Sequence, residues 1–290
     1  MMTPLPTLGG NNAMAVALNN RGQIIGVAEN GTKDPSCPSP QVLDFEAVVW
    51  GPKQGKVQRL PPLPGDTVGF ALGINDRGQV VGSSGTCANT LVTAVGLFSG
   101  PHAVLWENGS AKFLGTLGGT MGKAGAINNR GEVAGFSSLP GDSSVHSFLW
   151  TREAGMQDLG ALGADFLGDP AGINNNGQVV GGSCDTSGQC RAFVWDKKVM
   201  SDLNDLIPAN SPLYLAYALG INDEGEIVGF ALDASTGEGH AYLATPRDGE
   251  DAGESAAAVA PVGTVETGRI ALPENIRKLL RGRVPIGRRP

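Results

Sequence analysis

The sequence predicts an all-β fold, a five-bladed β-propeller built from four-stranded antiparallel blades. One motif recurs five times, each copy centred on a turn glycine: Gly22, Gly78, Gly131, Gly177 and Gly225. The copies lie 46 to 56 residues apart, about the length of a four-stranded propeller blade. The chain also has 44 glycines among 290 residues and 41% hydrophobic residues, a composition that suits short strands and tight turns.

Each unit carries four strand-like segments, called a, b, c and d in chain order. Strand a consists of small residues and ends in Ile-Asn. An Asn-Asp-Arg-Gly turn, or a variant of it, then leads to strand b, Gly-Gln-Val-Val-Gly, and this turn chemistry predicts a tight hairpin. Strand c runs from His to Trp in its fullest copies, and strand d reads Asp-Leu-Gly-Thr-Leu. The small side chains of strand a suit the crowded innermost strand of a radial array.

The two ends of the repeat predict a closed ring. The fifth unit stops after strand c, at His240 to Thr245, whereas the chain begins with an unpaired strand d at Leu5 to Gly10. We therefore expect the N-terminal strand to complete the last blade, which leaves no open edge. On this interpretation residues 1–245 form one propeller, residues 246–269 an acidic linker and residues 270–290 a basic tail.

The basic tail has two interpretations. Six Lys and Arg residues oppose only Glu274 there, and Pro273 followed by spaced aliphatic residues indicates a short helix. One interpretation is docking on an anionic surface, either a cell surface or the acidic propeller itself. The other is a disordered terminus without a partner.

Composition excludes several function classes. The formal charge of −7 gives no basic face for nucleic acid, and the chain has no apolar run of 18 residues that would predict a transmembrane segment. The first residues lack the features of a signal peptide, which predicts either a cytoplasmic protein or one whose leader has been removed. No P-loop, Gly-x-Ser-x-Gly elbow or His-Glu-x-x-His motif is present, and we expect no cofactor and no metal.

The motifs resemble the bacterial HAF-repeat family, described as probable extracellular repeats. The resemblance rests on the His-Ala-Phe-Leu-Trp, Asp-Leu-Gly-Thr-Leu-Gly-Gly and Gly-Ile-Asn-Asp-Xaa-Gly-Gln-Val-Val-Gly segments, which recur in fixed order over about residues 4–245. It implies a secreted or cell-surface protein and implies no known reaction. The chain departs from the pattern at Glu46 and Arg191, which replace His, and at Ala244, which replaces Trp.

Four cysteines occupy the b–c loops. Their even number, together with the resemblance to an extracellular family, predicts the disulfides Cys37–Cys87 and Cys184–Cys190. A zinc site is disfavoured because Cys-x-x-Cys spacing is absent.

The three histidines, His102, His146 and His240, open strand c in separate units. We interpret them as a repeated structural hydrogen bond rather than as ligands of one metal. The tryptophans that end strand c are expected to pack between blades.

The binding site is predicted on the face that carries the b–c and d–a loops, because the a–b turns on the other face are short and uniform. The d–a loops offer polar and aromatic side chains to a sugar or another polar ligand, although turn-forming residues of this kind also occur without any ligand. The candidates are Asn11, Asn12, Asp66, Thr120, Lys123, Asp165, Phe166, Asn210 and Tyr214.

The sequence thus predicts a non-enzymatic binding module for a polysaccharide or a protein. Two alternatives stay open. One is a glycoside hydrolase-like enzyme with Asp66, Asp165 and Asp169 as carboxylates at the channel mouth. The other is a passive structural module of the cell surface. The apolar b–c loop of residues 91–98 is equally consistent with a partner-binding patch and with packing against a neighbouring loop.

Overall fold

A computed structural model of the chain describes residues 2–51, 56–92 and 98–246. They form an all-β structure of 21 strands in five consecutive antiparallel units, with three short 3₁₀-helices at Cys87–Asn89, Pro140–Asp142 and Leu203–Leu206. Among these residues no helix is long and apolar enough to cross a membrane. The predicted linker and tail, from residue 247 onward, and residues 93–97 of the apolar loop lie outside the described residues.

The strand bounds follow the repeat. Unit one contains β1 (Ala13–Leu18), β2 (Ile24–Lys33), β3 (Leu43–Trp50) and β4 (Val57–Leu60). Unit two contains β5 (Val68–Ile74), β6 (Val80–Gly85), the short hairpin β7 (Leu91–Val92) and β8 (Phe98–Ser99), then β9 (His102–Glu107) and β10 (Ser110–Phe113). Unit three contains β11 (Gly122–Ile127), β12 (Val133–Ser138), β13 (Val145–Thr151) and β14 (Gly155–Gly160). Unit four contains β15 (Leu167–Ile173), β16 (Val179–Cys184), β17 (Cys190–Asp196) and β18 (Val199–Asp202), and unit five contains β19 (Leu213–Ile221), β20 (Ile227–Asp233) and β21 (Gly239–Ala244).

The predicted a–b hairpins are confirmed in all five units. Strands a and b pair antiparallel in each, and strand c pairs with strand b on its other side. The turn glycine of every unit has a positive φ between 72° and 87°. Glycine adopts this left-handed conformation without the steric cost that a Cβ would add, which explains why it recurs there.

Apolar packing joins each unit to the next. Four buried clusters each combine side chains of two consecutive units; the first contains Ile25 and Val49 of unit one with Val80 and Trp106 of unit two. Trp50, Trp106 and Trp150 are buried as predicted, and Trp195 is partly buried. The core is therefore a series of interfaces between sheets.

Asparagines at the a–b turns form a ladder between units. Asn75 is typical, because its Nδ2 donates to the backbone oxygen of Asn128 in the next unit at 2.9 Å and its Oδ1 accepts from the backbone of its own turn. The same inter-unit bond runs from Asn19, Asn128 and Asn174. A second set of inter-unit hydrogen bonds is made by the residue that follows each asparagine. Asn175 N, for example, donates to Asp223 Oδ1 at 2.8 Å. The turns thus link all five units in order.

The N-terminal segment lies against unit one, which differs from the prediction that it pairs with the last unit. Leu5 and Leu8 pack on the Trp50 cluster, and Trp50 Nε1 donates to the carbonyl of Pro6 at 2.8 Å. Trp106 Nε1 makes the same bond to Pro61 in the linker that follows β4. Residues 5–8 and 60–63 share the phrase Leu-Pro-x-Leu within the predicted strand d, and both thus act mainly as linkers that pack on the following unit. The d strands accordingly end earlier than predicted, as in β4 at Leu60 and β10 at Phe113.

The outer faces of the first and last units are exposed. In unit five Val228 is 49% and Leu243 52% exposed, whereas the equivalent Val81 and Leu105 of unit two are buried under unit three. Leu18 in unit one is 71% exposed. Among the described residues, β21 pairs only with β20.

The turn ladder should contribute measurably to stability. We expect Asn128→Ala to lower the free energy of unfolding by about 2–4 kcal/mol, because it removes two donated and two accepted hydrogen bonds at a buried position. Asn176→Ala, at an exposed turn position with one side-chain bond, is the control and should cost less than about 1 kcal/mol. Urea unfolding of both variants measures the difference, and equal costs would contradict the prediction.

Candidate functional site

The face that carries the b–c and d–a loops holds the residues predicted to bind a ligand. Most of their polar side chains already have partners within the protein. Asp66 is an example, since its Oδ2 accepts from Ser84 Oγ at 2.6 Å and contacts His102 Nδ1 at 2.8 Å. His146 likewise contacts Asp158 at 2.9 Å. These two histidines make the structural hydrogen bond expected at the start of strand c, and His240 is exposed.

Asp165 occupies the same place in unit four as Asp66 does in unit two. Ser183 Oγ donates to it at 2.8 Å and Arg191 Nη2 at 2.9 Å, while Arg191 Nη1 also reaches Asp202 at 3.1 Å. Burial of Arg191 opposes its charge, but the two aspartates outweigh this effect and raise the pKa of the guanidinium. The Arg that replaces His in this repeat therefore keeps the contact to the acid of the d–a loop.

Asp169 belongs to a buried polar chain across three units. Its Oδ1 receives Lys123 Nζ at 2.5 Å and its Oδ2 receives Tyr217 OH at 2.8 Å. Burial is the main cause that raises the pKa of Tyr217 well above its usual value, and Asp169 adds to it. The three residues each stand eight positions before their turn glycine, so the repeat alignment could have revealed them as neighbours in consecutive units.

Asn11 and Asn12 surround Glu29, a residue that sequence reasoning missed. Their backbone N–H groups both donate to Glu29 Oε2 at 2.9 Å, and Asn12 Nδ2 donates to Oε1 at 2.9 Å. Gln41 Nε2 adds a fourth bond. Burial alone would raise the pKa of Glu29, but these hydrogen bonds outweigh it and lower that pKa. Glu29 thus fixes the N-terminal segment on unit one.

Two other candidates lie in turns. Thr120 Oγ1 donates to Asp142 Oδ2 at 2.7 Å and closes a contact between the d–a and b–c loops of unit three. Asn210 is exposed in a turn that is closed by the backbone bond from Ser211 to Pro208. Neither position converges with the others.

A patch around one disulfide presents aromatic and polar side chains to solvent. Both predicted disulfides are present, and Cys184–Cys190 closes the b–c hairpin of unit four. Phe166, which is 39% exposed, donates its backbone N–H to Cys184, and Gln189 at the hairpin tip donates to Tyr214 OH at 3.3 Å. Partial burial raises the pKa of Tyr214. We call Phe166, Gln189, Arg191 and Tyr214 the hairpin patch.

A pair of carboxyl groups lies beside the other disulfide. The ligand atoms of Asp34, Asp44 and the two sulfurs of Cys37–Cys87 all lie within 4.8 Å of one another. Burial raises the pKa of Asp44 to about 6, and the charge of Asp34, a hydrogen bond with Asp34 and the charge of Glu46 add to it. Neither acid was singled out from the sequence, because neither recurs at an equivalent position of the repeat.

A depression of about 480 Å³ lies on the opposite face, between the a–b turns and c–d links of units two and three. Its charged residues largely neutralise one another, as in Arg130–Glu132 and Arg152–Glu107, both at 2.7 Å. The a–b turns and c–d links of these two units thus lie on one face.

Comparison with known proteins gives distant structural neighbours. No family model matches the chain, and no curated protein matches it. A puromycin-hydrolysing peptidase of Mycobacterium tuberculosis is 13% identical at a TM-score of 0.44, over 82% of this chain and 38% of the peptidase. A gluconolactonase of Xanthomonas campestris is 12% identical at a TM-score of 0.39, over 83% of this chain and 79% of the enzyme. This chain thus spans well under half of the peptidase, and neither similarity carries an argument about its activity.

Glu29 should make stability depend on pH. Its pKa is lower in the folded than in the unfolded protein, so its contribution is complete above the unfolded value near 4.5 and is lost as the pH falls through the folded value. We expect Glu29→Gln to cost about 1–3 kcal/mol at pH 7, because an amide cannot accept all four hydrogen bonds, and to cost less at pH 3. Urea unfolding at both pH values measures this.

Glu153→Gln is the matched control, since Glu153 is an exposed glutamate in the turn between β13 and β14. Its substitution should change stability little at either pH. A cost of Glu29→Gln that is the same at pH 3 and pH 7 would contradict the role of the carboxylate charge.

Proposed function

We propose that the five units form a closed five-bladed β-propeller of the HAF-repeat type that acts as a non-enzymatic binding module. The support for closure comes from both ends of the ladder. Asn222 Nδ2 and Asp223 N stand where earlier units donate to the next turn, and among residues 2–51, 56–92 and 98–246 they make no bond to a further unit. Asn19 O and Asn20 Oδ1 are the matching acceptors in unit one.

Apolar surface supports the same closure. Val228 and Leu243 of unit five are exposed at positions that every earlier unit covers with its successor. Leu18 and Met14 of unit one are exposed on the face that would meet them. Bringing units five and one together would bury these side chains and add a fifth step to the turn ladder, since each apolar side chain removed from water contributes favourably.

Closure predicts one specific distance. Spin labels at Arg21 and Glu224, exposed positions in the turns of units one and five, should lie as far apart as labels at Asn176 and Glu224, which are equivalent positions of adjacent units. Pulsed electron–electron double resonance on the two spin-labelled double-cysteine variants measures the two distances. A clearly longer Arg21–Glu224 distance would contradict the closed ring.

We propose that the ligand is a polysaccharide bound at the hairpin patch. The observation that carries the proposal is the disulfide-closed hairpin, which holds Gln189 against Tyr214 OH and stands next to Phe166. Aromatic rings supply apolar area for the faces of a sugar, and the amide group of Gln189 supplies hydrogen bonds for its hydroxyls. A hairpin closed by a covalent link loses little entropy on binding.

The carboxylates favour binding over hydrolysis. A glycosidase needs one carboxylic acid that donates a proton and a second carboxylate that acts as base or nucleophile. Asp66 and Asp165 lie in the d–a loops as predicted, whereas Asp169 lies within β15 and is buried. Each accepts hydrogen bonds from internal partners. Asp66 and Asp165 bind these partners through Oδ2, and Asp169 binds them through both oxygens, so each of the three acids has a structural role.

The two disulfides are typical of proteins in an oxidising environment. We propose that the protein works outside the cell or at its surface, as the resemblance to the HAF-repeat family implies. A polysaccharide of the cell envelope or surroundings is the ligand class that suits this location.

A glycan array with the oxidised full chain tests the proposed function. We expect retained glycans without released sugar, and at least a tenfold loss of affinity in Phe166→Ala and Tyr214→Ala. Phe113→Ala is the control, because Phe113 is a phenylalanine of similar exposure, 42%, in unit two. It should bind as the native protein does. Sugar release would identify an enzyme, and an array without any bound glycan would contradict the polysaccharide ligand.

A further inference from the structure

Asp34 and Asp44, the carboxyl pair beside the Cys37–Cys87 disulfide, carry negative charge that no salt bridge among the described residues compensates. Asp44 is only 7% exposed, and its Oδ1 is buried without a hydrogen-bond partner among the described residues. A buried carboxylate oxygen without a partner costs free energy, because it has lost its water. Asp34 shares a side-chain hydrogen bond with Asp44 but repels its negative charge, and within residues 2–51, 56–92 and 98–246 neither aspartate forms a salt bridge.

The other charges in the surroundings do not compensate this pair. Glu46, two residues along β3 and also buried, is already engaged with Arg59 and with Asn30 Nδ2. Glu29 on the neighbouring β2 is held by Asn11, Asn12 and Gln41. Lys33 precedes Asp34 and pairs with Leu43, but its side chain is exposed and forms no salt bridge with either aspartate among the described residues. No positively charged side chain in the described part of the chain is therefore paired with Asp34 or Asp44.

We propose that Asp34 and Asp44 bind a calcium ion at the junction of units one and two. The cluster offers oxygen donors only, because Cys37 and Cys87 are joined to each other and provide no thiolate. Carboxylate oxygens suit hard cations, and calcium accepts flexible coordination by carboxylates, backbone carbonyls and water. Magnesium requires near-ideal octahedral geometry and gives up its water reluctantly, so a site of two protein carboxylates on one loop favours calcium.

The location gives the ion a structural role. Asp34 and Asp44 flank the b–c loop of unit one, and Cys37 of that loop is covalently joined to Cys87 of unit two. The loop also covers an apolar cluster that contains Phe45 and Phe70, whose rings stack at 5.0 Å. An ion at the carboxyl pair would hold the two ends of the loop together at this junction. Sites with few protein charges bind calcium with dissociation constants of about 10⁻⁴–10⁻³ M, a range typical of extracellular modules.

The test uses the oxidised full chain after chelation and dialysis. Isothermal titration with calcium chloride should give a single site per chain, and calcium at a few millimolar should raise the thermal midpoint (Tm) measurably. Magnesium chloride at the same concentration controls for ionic strength and should give a shift less than half as large. Calcium that gives neither binding heat nor a larger shift than magnesium would overturn the proposal.

Substitutions of the two aspartates identify the residues that bind the calcium ion. Asp44→Asn should abolish both the binding heat and the calcium-dependent shift, and Asp34→Asn should weaken binding at least tenfold. The readout is the difference between samples with and without calcium, so a change in the stability of the metal-free variant does not affect it. Asp185→Asn is the matched control, because Asp185 lies in the b–c loop of unit four next to the Cys184–Cys190 disulfide. Loss of calcium binding in this control, or its retention in Asp44→Asn, would overturn the assignment.

Discussion

The bond from an asparagine Nδ2 to the backbone oxygen of the next turn sets the spacing of the whole structure. The same side chain closes its own a–b hairpin through Oδ1, so one residue fixes the local turn and the position of the neighbouring unit together. Aliphatic packing between sheets is non-directional and would tolerate sliding. The asparagine ladder supplies the direction, and the buried clusters between units supply most of the favourable free energy.

The variable face depends on this regularity. Its loops carry out different tasks in each unit: Glu29 secures the N-terminal segment, Arg191 bridges two aspartates, and a disulfide closes the hairpin of unit four. Such loops vary without disturbing the fold because the strands beneath them are fixed by the turns on the other face. Most acidic side chains on this face consequently form hydrogen bonds that hold the loops to the strands. Aromatic and amide groups remain accessible to a ligand.

The parts of the structure that follow from repeated local rules were predictable from sequence. The hairpins and the burial of Trp50, Trp106 and Trp150 at the end of strand c are examples. Both disulfides were also predicted, from the even number of cysteines and the resemblance to an extracellular family. The Leu-Pro-x-Leu phrase was misassigned as a strand, because its role as a linker is visible only from the indole bond it receives from the following unit. Asp34 and Asp44 were missed because their proximity depends on the path of one loop that no other unit repeats.

The side chain at one position of the repeat differs from unit to unit in a way that depends on the order of the units. Eight residues before the turn glycine, the chain has Phe70, Lys123, Asp169 and Tyr217 in units two to five. The lysine of unit three and the tyrosine of unit five both donate hydrogen bonds to the aspartate of unit four. These contacts favour the order in which unit four lies between units three and five. Packing Lys123 against a unit that lacks the aspartate at this position would bury a charge without a counterion, at a cost of several kcal/mol. The side chains at this position thereby distinguish units that share one pattern of strand pairing, which disfavours assembly of the units out of order as the chain folds.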